Sequence, residues 1–256
     1  MDFFLQRQPN GSYLLPQTDQ ELHQSEPLHA QSPGELVDEI QELRRRQIRL
    51  VSIRRQQVMR LGQRELQDAL SGNGIQVGTI GYAGGFTGSL GRNYESAVTD
   101  MLRALELAAA FNAFSLVVVP GSRRSHICSH ASRTIRAGLD RCLDDALRFR
   151  IDLQIALNNV IGGRDDVFIP AGETPLDWIS GLDSHRIKGL MVLRSASQWN
   201  SLPDSWSRCM MSGGILRMSR SCRQQVGKGN IVCQIIDGLK QATALTLESA
   251  VVSGTR

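Results

Sequence analysis

The sequence predicts an α/β fold, a (β/α)8 TIM barrel, on three observations. Its 256 residues match the usual size of such a barrel. Short apolar runs alternate with amphipathic stretches at intervals of roughly 30 residues, the rhythm of βαβ units around a parallel sheet. Neither GxGxxG nor GxxxxGK followed by Ser or Thr comes after the first strand. That absence weighs against an open doubly wound sheet, which the same alternation could also build.

Residues 1–33 are rich in Gln, Pro, Ser and His and carry no sustained periodicity. They are expected to form an irregular N-terminal arm, holding a first strand near Phe3 to Leu5 or Tyr13 to Leu15. The barrel domain is assigned to residues 34–256. Its opening signal is Ser32-Pro33-Gly34-Glu35, with Ser as N-cap, Pro at the first helical position and Glu three residues on. Leu36, Ile40 and Leu43 then recur at helical spacing. Ile48 to Ile53 reads as a strand, and a helix through Glu65 to Leu70 closes at Gly72-Asn73-Gly74. Ile75 to Ile80 is the next strand, followed by a glycine-rich loop from Gly81 to Gly91. Tyr94 to Phe111 is a strong amphipathic helix with Ala97, Met101, Leu105 and Ala108 on one face.

Ser115 to Val119 is the clearest buried strand, β-branched and stopped by Pro120-Gly121. A helix from His130 to Arg148 carries Ile135, Leu139, Cys142, Leu143 and Ala146 inward. Strands follow at Asp152 to Leu157, Ile187 to Leu193, Gly214 to Met218 and Ala244 to Leu247. Helices are expected at Pro175 to Leu182, Pro203 to Met211 and Ile231 to Ala242. Gly227-Lys228-Gly229-Asn230 reads as a plain loop whose Asn230 caps the last of these.

Apolar residues make up 41% of the chain, enough for a large core and too many for a disordered one. The formal net charge is +4, carried almost wholly by arginine. The densest basic stretch comprises Arg44, Arg45, Arg46, Arg49, Arg54, Arg55, Arg60 and Arg64. It has no interleaved aromatics, so a solvated helix face is expected rather than a nucleic-acid contact. Five cysteines, Cys128, Cys142, Cys209, Cys222 and Cys233, include no CxxC pair; this argues against a disulfide framework or a structural zinc site. The most apolar region, Leu105 to Pro120, is too short to span a bilayer. A soluble cytoplasmic protein with no membrane partner is expected, and no oligomeric state is read from the sequence.

The stretch from Val77 to Leu157 resembles the sugar-phosphate isomerase/epimerase family, the xylose-isomerase-like TIM barrels. The likeness rests on the loop Tyr82-Ala83-Gly84-Gly85-Phe86-Thr87-Gly88-Ser89. It rests also on the helix Asp100 to Ala110 leading into Leu116-Val117-Val118-Val119-Pro120-Gly121. The run Gly121-Ser122-Arg123-Arg124-Ser125-His126 with His130 completes it, and Ile53-Arg54-Arg55 matches the family's second strand in type. The resemblance implies a divalent metal held at the ends of the late strands. At the fifth strand the family carries Glu, and Asn158 stands here. At the sixth it carries Asp, and Leu193-Arg194 stands here. At the seventh it carries His or Asp, and the residues here are Met218, Ser219 and Arg220. At the eighth it carries Glu, which Glu248 matches.

A hard dication needs anionic oxygen or imidazole ligands to replace its hydration shell. An amide, a leucine and an arginine do not supply them, so no metal cofactor is expected. His126 and His130 could share a metal at their spacing of four, but no third ligand follows at a sensible spacing. A polar contact to a ligand is the preferred role for them. The expected site has Gly85 and Phe86 over a pocket and Arg123, His126, Asn158 and Arg194 binding substrate. Glu248 is the sole catalytic candidate, or else a carboxylate paired with Arg194 or Arg220. The reading is a barrel that binds a small sugar-like or sugar-phosphate-like anion without turnover. The alternatives are a working isomerase or epimerase with rearranged ligands and, last, a phosphodiesterase like endonuclease IV. The last needs a metal cluster that five histidines, two of them in the arm, do not support.

Overall fold

The computed structural model of the protein describes residues 2–3, 6–7, 13–14, 25–88, 92–123, 126–156, 186–193 and 215–218. In chain order the elements begin with β1 (Asp2–Phe3), β2 (Gln6–Arg7), β3 (Tyr13–Leu14) and β4 (Ser25–Pro27). They continue with α1 (Pro33–Arg45), β5 (Leu50–Arg54), α2 (Arg55–Leu61), α3 (Gln63–Ser71), β6 (Gln76–Gly84) and α4 (Tyr94–Ala110). Then come β7 (Ser115–Val119), α5 (Cys128–Phe149), β8 (Asp152–Ala156), β9 (Ile187–Leu193) and β10 (Ile215–Met218).

From β4 to β10 each strand is hydrogen-bonded to its neighbour in sequence and runs parallel to it. A doubly wound sheet reverses its strand order part-way; this sheet does not. The arm contributes at both edges. β4 pairs with β5, and β1 pairs antiparallel with β10, Asp2 opposite Arg217 and Phe3 opposite Leu216. β2 and β3 form a separate antiparallel pair.

The first parallel strand therefore lies at Ser25–Pro27, and not at Phe3 to Leu5 or Tyr13 to Leu15. Ser-Glu-Pro has neither β-branched residues nor an apolar alternation, so it gave no strand signal. Two further boundaries differ from expectation. β6 runs on through Gly84, taking in the first glycines assigned to the loop. Helix α2 starts immediately after β5 and is broken from α3 by Gly62 at φ 84°, a conformation glycine adopts without the steric cost of a Cβ. The helices expected at Pro175 to Leu182, Pro203 to Met211 and Ile231 to Ala242, the strand at Ala244 to Leu247 and the loop at Gly227 to Asn230 lie outside the described residues.

Local chemistry sets the helix starts. Ser32 Oγ accepts from Glu35 N and Pro33 opens α1, so an otherwise unbonded amide is met and the first φ is preset. Asn93 Oδ1 does the same for Ser96 N at the start of α4, at 2.8 Å. The apolar stripes then lie on the sheet. Ala97, Val98, Met101, Ala104, Leu105 and Ala108 of α4 are buried, as are Ile135, Leu139, Cys142 and Ala146 of α5. The alanines let α4 approach the strands closely, while Met101 and Leu105 fill the space between. Burying a side chain of their size is worth about 1.5–3 kcal/mol.

The strands divide by period two, except that a register shift beside Val51/Ser52 puts Val77 and Ile80, three residues apart, on the same face. Val51, Ile53, Val77, Ile80, Leu116, Val118, Leu153 and Ile155 join the helices in one core. On the opposite face Thr79 Oγ1 meets Ser115 Oγ at 3.0 Å, and Gln154 Nε2 donates to Ser115 Oγ at 2.6 Å. Near the N-terminal ends of the strands, Asp152 is paired with both Arg186 and Lys188.

Cys142 sits at the centre of the helix-side core, and burial pushes its thiol up to about 12. The neutral thiol's stabilising contribution is intact below the ordinary thiol range and is lost as pH rises toward that value. Cys142 should stay unmodified by iodoacetamide at pH 8 in the folded protein and react only on denaturation. Site-resolved mass spectrometry checks this; labelling of Cys142 at the rate of the half-buried Cys128 would refute the placement.

Candidate functional site

In a parallel sheet wrapped by helices, chemistry gathers where the strands end and the following loops begin. The alternation fixes which side chains reach that rim from the inner face. Leu28 and Ala30 are buried in the helix-side core and His29 between them is exposed. Val51 and Ile53 are likewise buried and Arg54, the last residue of β5, is exposed. The ladder pairs Pro27 with Ser52 and Leu28 N donates to Ser52 O at 2.9 Å. His29 and Arg54 thus share the next row, side by side.

The glycine-rich loop follows β6. Gly85 N donates to Val119 O at 2.8 Å and Phe86 N to Pro120 O at 3.1 Å, folding the loop over the end of β7. Gly84 is at φ 115°, and a Cβ there would lie 2.2 Å from Val119 O. Glycine is required at that point by backbone approach. Phe86 is 1% exposed, and its ring lies against the backbone of Gly138 on α5. The ring expected over a pocket is instead in the layer between sheet and helix, because the absence of a Cβ at Gly138 leaves a slot of aromatic thickness. Gly85, at φ 81°, forms the turn that sends Phe86 there.

The start of α5 carries Arg123, His126, Cys128 and His130. His126 Nε2 lies 3.1 Å from Thr87 O; a carbonyl only accepts, so this nitrogen carries the proton. The rings of His126 and His130 stack with centroids 4.9 Å apart and planes 16° from parallel. Stacked rings direct their nitrogens along parallel planes rather than at one point, and Nε2 of His126 is already a donor. Arg123 turns back on its own segment, donating to His126 O at 3.1 Å and lying 3.7 Å from Cys128 Sγ. These residues tie the β6 and β7 loops together at the rim. Asn158, Arg194 and Glu248, and with them Ser219 and Arg220, lie outside the described residues.

Three polar groups at this end escaped the sequence reading. Asp100 on α4 takes a bidentate bond from Arg55, both contacts 2.8 Å, and a third from Arg92 at 2.7 Å. Gln57, 1% exposed, accepts from Arg54 N at 2.9 Å and donates to Leu28 O at 2.8 Å and Ala30 O at 3.1 Å. Glu39 accepts from His29 N at 2.9 Å and Ala30 N at 2.7 Å. The basic stretch is largely spent in such pairings. Arg45 bonds Glu42, Arg46 bonds Glu26, Arg64 faces Asp68, Arg44 bonds Asn73 and Arg60 bonds Gln31. Among the described residues the guanidinium groups of Arg49 and Arg54 have no such partner, and of these two Arg54 is at the rim.

Solved structures of sugar epimerases share this architecture. The 3-keto-D-glucoside 4-epimerase YcjR from E. coli superposes with a TM-score of 0.64 at 13% identity, over 86% of this chain and 87% of that one. The D-allulose 3-epimerase of Methylomonas sp., solved in complex with D-allulose, gives 0.62 at 16% identity, over 84% and 76%. A protein from Sinorhizobium meliloti 1021 gives 0.56 at 21% identity, over 71% of this chain and 66% of its own length. The fold is the xylose-isomerase-like TIM barrel. No family model and no curated protein matches the sequence.

The described ends of the late strands carry two apolar residues. β9 and β10 are aligned so that Leu193 stands opposite Met218 at their C-terminal ends. Neither residue type offers a hard oxygen or an imidazole, and the residues that follow, Arg194 and Ser219, add a cation and a neutral hydroxyl. β8 stops at Ala156, two residues before Asn158. Leu193 and Met218 themselves therefore supply no ligand for a hard dication. Among the described residues no group of three or more His, Cys, Asp or Glu is placed to hold one either, and no helix is long and apolar enough to cross a membrane.

Gly138→Ala should destabilise the barrel by about 1–3 kcal/mol, the cost of overpacking a filled site, because the new Cβ would meet the Phe86 ring at 2.4 Å. Thermal unfolding of Gly138→Ala beside Gly138→Ala/Phe86→Leu measures it. The double variant should recover part of the loss; equal losses would refute the ring-in-slot packing.

Proposed function

We propose that this protein is a sugar isomerase/epimerase-like barrel that binds an anionic sugar-like molecule at its C-terminal rim without metal-assisted turnover. The observation carrying this reading is the late-strand register, with Leu193 beside Met218 where a dication would need carboxylate or imidazole. The residues reaching toward the rim favour an anion. Arg54 is exposed there without a partner among the described residues, and Arg194 follows β9 in sequence. The sugar part rests on the fold shared with epimerases whose structures hold D-allulose or were determined with D-fructose or D-tagatose. In this reading Asn158, Arg194, Arg123 and His126 belong to the ligand side of the rim. Glu248 serves as a paired carboxylate rather than a metal ligand, and the protein acts in the cytoplasm.

Metal-assisted isomerisation would supply Lewis-acid stabilisation of an enediolate, and this chain's residues give that no support. A working epimerase with rearranged ligands would instead depend on Glu248. Calorimetric titration with Mn²⁺ and with Mg²⁺ should give no tight one-to-one uptake. Glu248→Gln should leave ketose and ketose-phosphate binding within about twofold of the unmodified protein, in line with a surface charge pair worth under about 1 kcal/mol. Stoichiometric metal uptake, or epimerisation of a ketose that Glu248→Gln abolishes, would overturn the proposal.

A further inference from the structure

We infer that His29 and Arg54 together bind the phosphate or carboxylate of the barrel's ligand. The inference rests on the anionic-ligand reading above and assigns residues to it.

Three independent constraints place the two residues in neighbouring positions at the strand ends. The parallel register of β4 on β5 puts them in one row. Burial of Leu28 and Ala30 on one strand, and of Val51 and Ile53 on the other, turns both away from the helices. The buried Gln57 amide then locks the two strand ends to each other, holding Arg54 N with its oxygen and the carbonyls on either side of His29 with its nitrogen. Glu39 takes up His29 N and Ala30 N. It is the carboxylate nearest His29 in these contacts, and it is committed to backbone amides. The imidazole of His29 and the guanidinium of Arg54 are exposed and have no side-chain partner among the described residues.

That arrangement suits an oxyanion. A guanidinium presents two parallel N–H donors that match phosphate or carboxylate oxygens, and an imidazole N–H adds a third. Because Gln57 and Glu39 fix the backbone on both sides, only the two side chains remain to be ordered when the anion arrives. The other arginines nearby do not compete. Arg55 and Arg92 are bound to Asp100, and Arg60 is bound to Gln31.

The test follows the His29 ring by NMR in the full chain with ¹³C-labelled histidine, its signal assigned by loss in His29→Gln. The probes are inorganic phosphate, D-fructose 6-phosphate, D-gluconate and D-fructose. Phosphate and at least one of the two anionic sugars should move the signal saturably. Arg54→Gln should weaken that response at least tenfold with the circular dichroism unchanged, and Arg54→Lys should weaken it less. D-fructose 6-phosphate in preference to D-gluconate identifies a phosphate ligand, and the reverse a carboxylate one. Gln57→Glu keeps the acceptor for Arg54 N but donates to neither carbonyl, so it should weaken the phosphate response without changing the direction of the shift. A signal moved by phosphate but by no sugar keeps the subsite and removes the sugar reading. A signal moved by D-fructose alone overturns the subsite and leaves sugar binding standing. A signal that no probe moves, or that responds equally in Arg54→Gln, overturns the subsite.

Discussion

From β4 to β8 the described parallel strands have helices on one face and the barrel interior on the other, and period-two alternation decides which residue meets which. Val51, Ile53, Leu116, Val118, Leu153 and Ile155 take the helix side. Thr79, Ser115 and Gln154 take the interior and satisfy one another by hydrogen bonds. A slip of one residue in any strand would exchange the two sets, placing hydroxyls and amides against the apolar stripes of α4 and α5. The same parity carries His29 and Arg54 to the rim. The candidate site is therefore a consequence of how the core is filled.

The rim is held by polar groups that burial forbids to remain unpaired. Leaving a buried amide without a partner costs about 1–3 kcal/mol, so Gln57 has to find donors and acceptors. Those it finds belong to two different strands. Asp100 plays a comparable part between α4, Arg55 and Arg92. One carboxylate is shared there by two guanidinium groups, which leaves the local balance positive. Arg54 has no side-chain partner among the described residues, while the nearby Glu39 carboxylate is bound to the His29 and Ala30 amides.

The loop after β6 has a double role. Its glycines look like a device for approaching a ligand, and the backbone does need them, since Gly84 could not carry a Cβ so close to Val119 O. Yet the side chain they deliver, Phe86, is driven into the slot over Gly138 by the area its ring can bury. The same loop accepts the hydrogen bond of His126 through Thr87 O. A motif that resembles a binding loop is thus first a joint between β6, β7 and α5.

The sequence by itself determined what depends on neighbours along the chain. It gave the alternation of strand and helix, the Ser32 cap, the apolar stripes of α4 and α5, the whole of β7 and β9, and the poverty of metal ligands in the late strands. These are local signals, set by periodicity and residue type. Only the tertiary structure decided matters that join distant residues. It placed the first parallel strand at Ser25–Pro27, whose composition gives no strand signal. It put β1 along β10, turned Phe86 inward, and drew Gln57, Asp100, His29 and Arg54 into working positions. Gln57 reads as one more polar residue in a basic helix until β4 comes to lie beside β5. Its partners are 27 and 29 residues away, and hydrogen bonds over such separations leave no periodic trace in the chain that makes them.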